Sequence, residues 1–129
     1  MILNDTSVWI ECFRNRLSPV AQFVQGKIKD DEIVYNGIVL GELLQGVKSR
    51  SEYDKIKGGL SVLPYVEFDY ATWVKGGEIG YNLRRKGRTI PLADCLIAAQ
   101  CLQAGYELFT TDKDFDEIAK EYSLTLVTI

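Results

Sequence analysis

Histidine is absent from this 129-residue chain. Its absence removes Ser-His-Asp and Cys-His catalysis, imidazole proton shuttles and histidine metal sites. Any hydrolysis must rest on carboxylates, a metal or lysine. Long apolar runs are missing too, and none reaches the roughly 18 residues of a membrane span. The N-terminal MILNDTSVWIECF has no basic region and carries acids early, so it does not read as a signal peptide. Cysteine is scarce and odd in number: Cys12, Cys95 and Cys101 cannot all pair within one chain, and none lies in a CxxC motif. Each reads as a small buried hydrophobe in a reduced, cytoplasmic setting. Excess positive charge is also missing. The formal net charge of −3 argues against a nonspecific nucleic-acid coat. It leaves nucleic acid open, because a metal cation offsets clustered acids.

What is present is ordinary globular material. Hydrophobic residues make up 47% and charged residues 26%, which fits one domain over residues 1–129 rather than a disordered chain. The stretch from Pro91 to Asp116 organises it. Pro91 opens a helix whose core positions are Leu92, Leu96 and Ala99, and Gly105 ends that helix. A short apolar strand, Tyr106 to Phe109, follows and stops at Thr110-Thr111-Asp112. Another helix then begins, with Asp114 as its cap and Phe115, Ile118, Ala119 and Tyr122 as its core stripe.

Upstream, Ile2-Leu3 reads as a first strand ending at Asp5. A short helix follows, capped by Thr6 or Ser7. Ser18-Pro19 starts the next helix, and Ile33 to Tyr35 is a buried strand. Ile38 to Val47 reads as a helix with Glu42 at the border of its apolar stripe. Gly41 and Gly46 inside that helix predict close approach of a backbone or ligand, since glycine is unfavourable there. Ser49 to Gly58 is helical, and Leu60 to Phe68 is a short strand or extended connector. Asp69 caps a helix whose stripe runs through Trp73, Val74, Gly77 and Tyr81. That helix ends in Arg84-Arg85-Lys86-Gly87-Arg88, either a solvated helix end or an edge that contacts phosphates. Leu124 to Ile129 reads as a last strand. Strands alternating with helices predict an α/β fold with a mostly parallel sheet.

In such a sheet, ligands bind outside the carboxyl ends of the strands. Asp5 and Asp112 end strands, Asp94 opens a helix, and Glu42 joins from a neighbouring helix. Each acid has a local excuse as a cap or a dipole partner. Brought together, they repel one another unless they protonate or bind a cation. A set of oxygen ligands alone suits Mg²⁺ or Mn²⁺.

Four segments stand in order and register: Asp5-Thr6-Ser7, Gly41 to Gly46 (GELLQG), Leu92 to Ala99 (LADCLIAA) and Thr110 to Phe115 (TTDKDF). With them the chain resembles PIN-domain ribonucleases of the VapC toxin type over essentially its whole length. The resemblance implies a three-layer α/β/α fold with a five-stranded parallel sheet, order 3-2-1-4-5. It implies Mg²⁺- or Mn²⁺-dependent RNA cleavage, a homodimer, and a cognate antitoxin whose C-terminal segment occupies the active-site groove. By position, Asp5, Glu42, Asp94 and Asp112 form the catalytic quartet. Asp5, Asp94 and Asp112 are the metal ligands, and Asp116 is the alternative to Asp112 as the fourth acid. Thr6, Ser7 and Thr110 support the site, and Arg84, Arg85, Lys86 and Arg88 contact RNA.

The chemistry expected is in-line hydrolysis by a metal-activated water, leaving a 5′-phosphate. A catalytically idle PIN-like scaffold and a housekeeping PIN nuclease outside any toxin system are the alternatives within the resemblance. A phosphoacceptor signalling domain fits poorly, because Asp5 stands alone after its strand.

Overall fold

The computed structural model describes residues 1–129. The chain runs β1 (Ile2–Asn4), α1 (Thr6–Arg14), α2 (Pro19–Lys29), β2 (Ile33–Val34), α3 (Gly37–Gly46), α4 (Arg50–Leu60), α5 (Tyr70–Arg85), α6 (Leu92–Ala104), β3 (Glu107–Phe109) and α7 (Asp114–Glu121). β1 is the middle strand of a parallel sheet of order β2-β1-β3, with Leu3 opposite both Val34 and Leu108. Every residue of β1 is buried, as expected for a strand covered on both faces. The helices form two packed groups, α1–α4 and α5–α7. No helix is long and apolar enough to cross a membrane.

The sheet has three strands where five were expected. Each outer position is reduced to one bridge, Tyr35 with Tyr65 and Leu108 with Leu126, both parallel. The reason on one side is Pro64. Its carbonyl accepts from Tyr35 N–H, but proline has no N–H with which to extend the ladder. On the other side Leu108 exchanges bonds with Thr125 and Val127, and the pairing stops there.

Local chemistry explains most helix ends. The Ser18 hydroxyl accepts from Ala21 N–H, and Pro19 takes the first helical position of α2. Asn36 and Asp69 cap α3 and α5 through their side chains. Gly105 closes α6 at φ +74°, a left-handed conformation suited to glycine.

The central helix is α6, in which Cys95 through Cys101 are all buried. An apolar surface all round marks a helix enclosed in a core. Leu92 is the exception to its predicted stripe, at 55% exposure. The stripe predicted for α5 is also corrected. Trp73, Val74 and Tyr81 face outward, and the buried residues are Thr72, Gly76, Ile79 and Leu83. α5 lays that second face against α6, where the small Gly76 allows close approach. Gly41 and Gly46 have open space where a Cβ would stand, so nothing in the structure requires glycine there.

Gly76 is different. A Cβ there would lie 2.6 Å from Leu96 Cδ2 and 3.2 Å from Leu96 Cα. The side chain can turn aside, but the backbone of α6 cannot do so cheaply. Gly76→Ala is expected to lose about 1–3 kcal/mol by overpacking, partly offset by up to about 1 kcal/mol of helix propensity. Gly77→Ala meets nothing within 4 Å and should gain that propensity outright. Thermal unfolding should therefore move in opposite directions for the two variants. Equal shifts would contradict the α5–α6 contact.

Candidate active site

The site is built where β1 and β3 run out. Asp5 follows β1 directly and occupies the cap position of α1, but its side chain makes no capping bond. Instead Asp5 Oδ2 accepts from Ser7 Oγ at 3.0 Å and from Thr110 Oγ1 at 2.9 Å. The predicted cap, Thr6 or Ser7, is thereby corrected: both lie inside α1 and serve the acids. Thr6 Oγ1 donates to Glu42 Oε1 at 2.6 Å, which joins the start of α1 to the middle of α3.

The loop after β3 is tied to the same hydroxyls. Ser7 Oγ accepts from Thr111 N–H at 3.1 Å, and Thr110 Oγ1 accepts from Asp112 N–H at 2.9 Å. Asp112 Oδ1 then accepts from Asp114 N–H at 2.9 Å. Asp114 is therefore not the cap of α7. It is the first residue of that helix, and its carboxylate is left for the site. Carboxylate oxygens of Asp94, Asp112 and Asp114 all lie within 4.8 Å of one another. Asp114 was missed as a site residue. Its signal was the spacing of two from Asp112, which puts both acids on one turn.

Asp94 stands in the first turn of α6 and is half-buried. Burial pushes its carboxyl up to about 7, and the charges of Asp5, Asp112, Glu42 and Asp114 add to the shift. Thus all four acids predicted from the sequence act on one point, with Asp114 as a fifth. Asp5 lies outside the tight group of three, but after burial it is the acid that raises Asp94 most. Asp116 takes no part: it is exposed and borders a surface hollow with Lys113 and Lys120. The donors are all carboxylate oxygens. Such a set fits a hard divalent cation and does not fit a metal that needs sulfur or imidazole.

A PIN domain model matches residues 2–121. The chain belongs to the PIN-domain family. Among curated PIN relatives it is 32% identical over 124 residues to ribonuclease VapC11 of Mycobacterium tuberculosis, covering 93% of this chain and 92% of that one. A VapC ribonuclease of Mycobacterium bovis matches equally well, at 32% identity over 124 residues and the same coverage. Among solved structures, VapBC2 of Rickettsia felis, bound to a DNA fragment from its promoter, superposes with a TM-score of 0.81. Identity there is 26%, over 98% of both chains. A member of the VapBC family of toxin-antitoxin systems from Mycobacterium tuberculosis shares the fold, with a TM-score of 0.69 at 18% identity over 98% of this chain and 97% of that one.

Within this PIN domain the basic run divides in two. Arg88 pairs with Glu117 at 2.6 Å and with Glu121 at 2.7 Å, and Lys86 also pairs with Glu121. These bonds hold the carboxyls of Glu117 and Glu121 below their usual range, Arg88 leading at Glu117 and Lys86 at Glu121. Lys86 and Arg88 thus fasten the α5–α6 turn to α7. Arg84 and Arg85, in the last turn of α5, pair with no carboxylate.

Proposed function

We propose that this PIN domain is a divalent-metal-dependent endoribonuclease and the toxin of a toxin–antitoxin pair. The observation that carries the reading is the gathering of Asp5, Glu42, Asp94, Asp112 and Asp114 around one partly buried point. Uncompensated, that much like charge opposes folding. The VapC ribonucleases named above support RNA as the substrate, and the VapBC neighbours support an antitoxin partner.

Asp94, Asp112 and Asp114 would hold Mg²⁺ or Mn²⁺, with Asp5 and Glu42 completing the negative field. A cation so held supplies Lewis acidity and water acidified toward neutral pH. The chain's own residues set the geometry. Ser7 and Thr110 fix one oxygen of Asp5 and leave the other free. Thr6 stops Glu42 from swinging into solvent. The bond from Asp114 N–H to Asp112 fixes the two loop acids relative to each other. Arg84 and Arg85 are the cations left to meet RNA phosphates.

The test is cleavage of RNA by protein freed of any partner. Activity is expected with Mg²⁺ or Mn²⁺ and none in excess EDTA, a fall to background. Undiminished cutting in EDTA would end the metal reading. Absence of cutting with either metal would favour an idle PIN scaffold.

A further inference from the structure

Resting on the nuclease reading, we propose that the recess between the end of α5 and the start of α6 is a nucleotide subsite for single-stranded RNA. In it Tyr81 stacks on a base and Arg84 holds a phosphate. The recess measures about 330 Å³ and is lined by Gly77, Gly80, Tyr81, Arg84, Ile90 and Leu92. That volume lies at the small end of sites that enclose organic ligands, roughly 300–1,000 Å³.

Three features point to a nucleotide. The first is an aromatic ring set out in solvent. Tyr81 is 60% exposed, and the Arg85 guanidinium lies 5.4 Å from its ring centroid. An aromatic ring is a stacking platform for any base, and an arginine beside it adds cation–π attraction. The second is charge. Arg84 lines the recess and has no carboxylate partner, whereas Lys86 and Arg88 are taken up by Glu117 and Glu121. The recess also abuts the positive end of α6, a 13-residue helix. A polyanion approaching five carboxylates needs such a cation close by. The third is continuity with the acids. Leu92 on the recess wall is the first residue of α6, and Asp94 follows in the same turn. The recess and the acids thus share the first turn of α6, Leu92 facing one side of it and Asp94, two residues on, another. The glycines keep the floor open: nothing stands within 4 Å of a Cβ at Gly77, and at Gly80 only Cys95 Sγ does, at 3.5 Å.

Single-stranded RNA is the occupant because a base must leave its own stack to reach Tyr81. The experiment measures affinity for a short fluorescent single-stranded RNA by anisotropy in EDTA, as a function of salt. Tyr81→Ala and Arg84→Ala should each weaken binding roughly tenfold or more. Arg84→Ala should also lower the logarithmic salt slope by about 0.7, the value for one phosphate of a single strand. Tyr81→Phe should bind as the wild type does. Arg50→Ala, which removes the same charge from α4, should keep the slope. These exposed positions leave folding untouched, which a thermal scan checks. The subsite is overturned if the wild type binds no more tightly than a Tyr81→Ala, Arg84→Ala double variant, whether or not the protein cuts RNA. It is equally overturned if Tyr81→Ala changes the oligomeric state and not the RNA affinity, which would make the recess a protein contact. Failure of the nuclease reading shows separately, as no metal-dependent cutting by the wild type.

Discussion

Asp94→Asn should abolish RNA cleavage and leave the metal-free protein as stable as the wild type or more so. The amide keeps the shape of the side chain and removes one charge from a crowded group. Asp94 has its carboxyl raised from 3.8 to about 7, by burial first and then by its acidic neighbours. One pKa unit corresponds to about 1.4 kcal/mol. The shift is thus bounded at about 4 kcal/mol, and solvent screening of a half-exposed group leaves about 1–2 kcal/mol. The sign follows from proton counting. Because the folded-state value is raised, the folded protein binds more protons than the unfolded chain between pH about 4 and 7. This contribution is fully present below pH about 4 and is lost as pH rises through about 7. In EDTA the wild type should therefore lose stability across that window relative to Asp94→Asn. Added Mn²⁺ should reverse the order, since a ligand that binds only the folded state stabilises with the logarithm of its saturation. Thermal unfolding of both proteins at several pH values, with and without Mn²⁺, reads all of this. If Asp94 is merely a helix-dipole residue, the variant loses a few tenths of a kcal/mol under every condition and still cuts RNA.

Phe115→Ala should cost about 3–5 kcal/mol, a large share of the roughly 5–15 kcal/mol that holds a domain folded. Phe115 is completely buried and is the largest of the fully buried side chains. It stands one residue after Asp114, on a helix of only 8 residues. So short a helix has little stability of its own and depends on the face it buries. Asp116→Ala, one residue further on and exposed, should stay within about 0.5 kcal/mol of the wild type. Urea unfolding of the pair checks this, with unchanged m-values showing that the same surface unfolds. A loss below 1 kcal/mol at Phe115 would mean that α7 is not anchored through this ring.

The α/β class and the helix ends were legible because caps and breakers act locally. Ser18-Pro19, Asp69 and Gly105 each did what their chemistry predicts. Asp5, Asp94 and Asp112 were legible as a converging set from their places at strand and helix ends, whereas Glu42 lies inside α3 and joined them only as a neighbour from another helix. Leu60 to Phe68 could be read as a strand or a connector and is an extended connector with one bridge, whereas Leu124 to Ile129, read as a last strand, also keeps only one, because branched residues favour extension without deciding whether a neighbour completes the ladder. The face of α5 was misjudged for a related reason. Aromatic periodicity through Trp73 and Tyr81 outweighed the small residues, and it is Gly76 that admits α6. Asp114 reads as a cap in the sequence because an acid opening a helix looks the same whether it bonds its own backbone or turns outward. The division of the basic run depended on Glu117 and Glu121, some thirty residues away, which no local pattern reveals.

The truncated margins of the sheet carry a consequence for how other chains attach. A long unpaired border invites strand addition, by a peptide or by a second misfolded copy. Here each border offers one bridged residue, Tyr65 beside Pro64 at one margin and Leu126 at the other. A docking segment laid along either margin finds too few free amides in line to build a ladder. Recognition of this domain must then run through side chains and helix surfaces, where a specific sequence is required. The same margins leave fibre growth by edge-to-edge stacking without a template, so the folded protein should tolerate high concentration better than its hydrophobic content suggests.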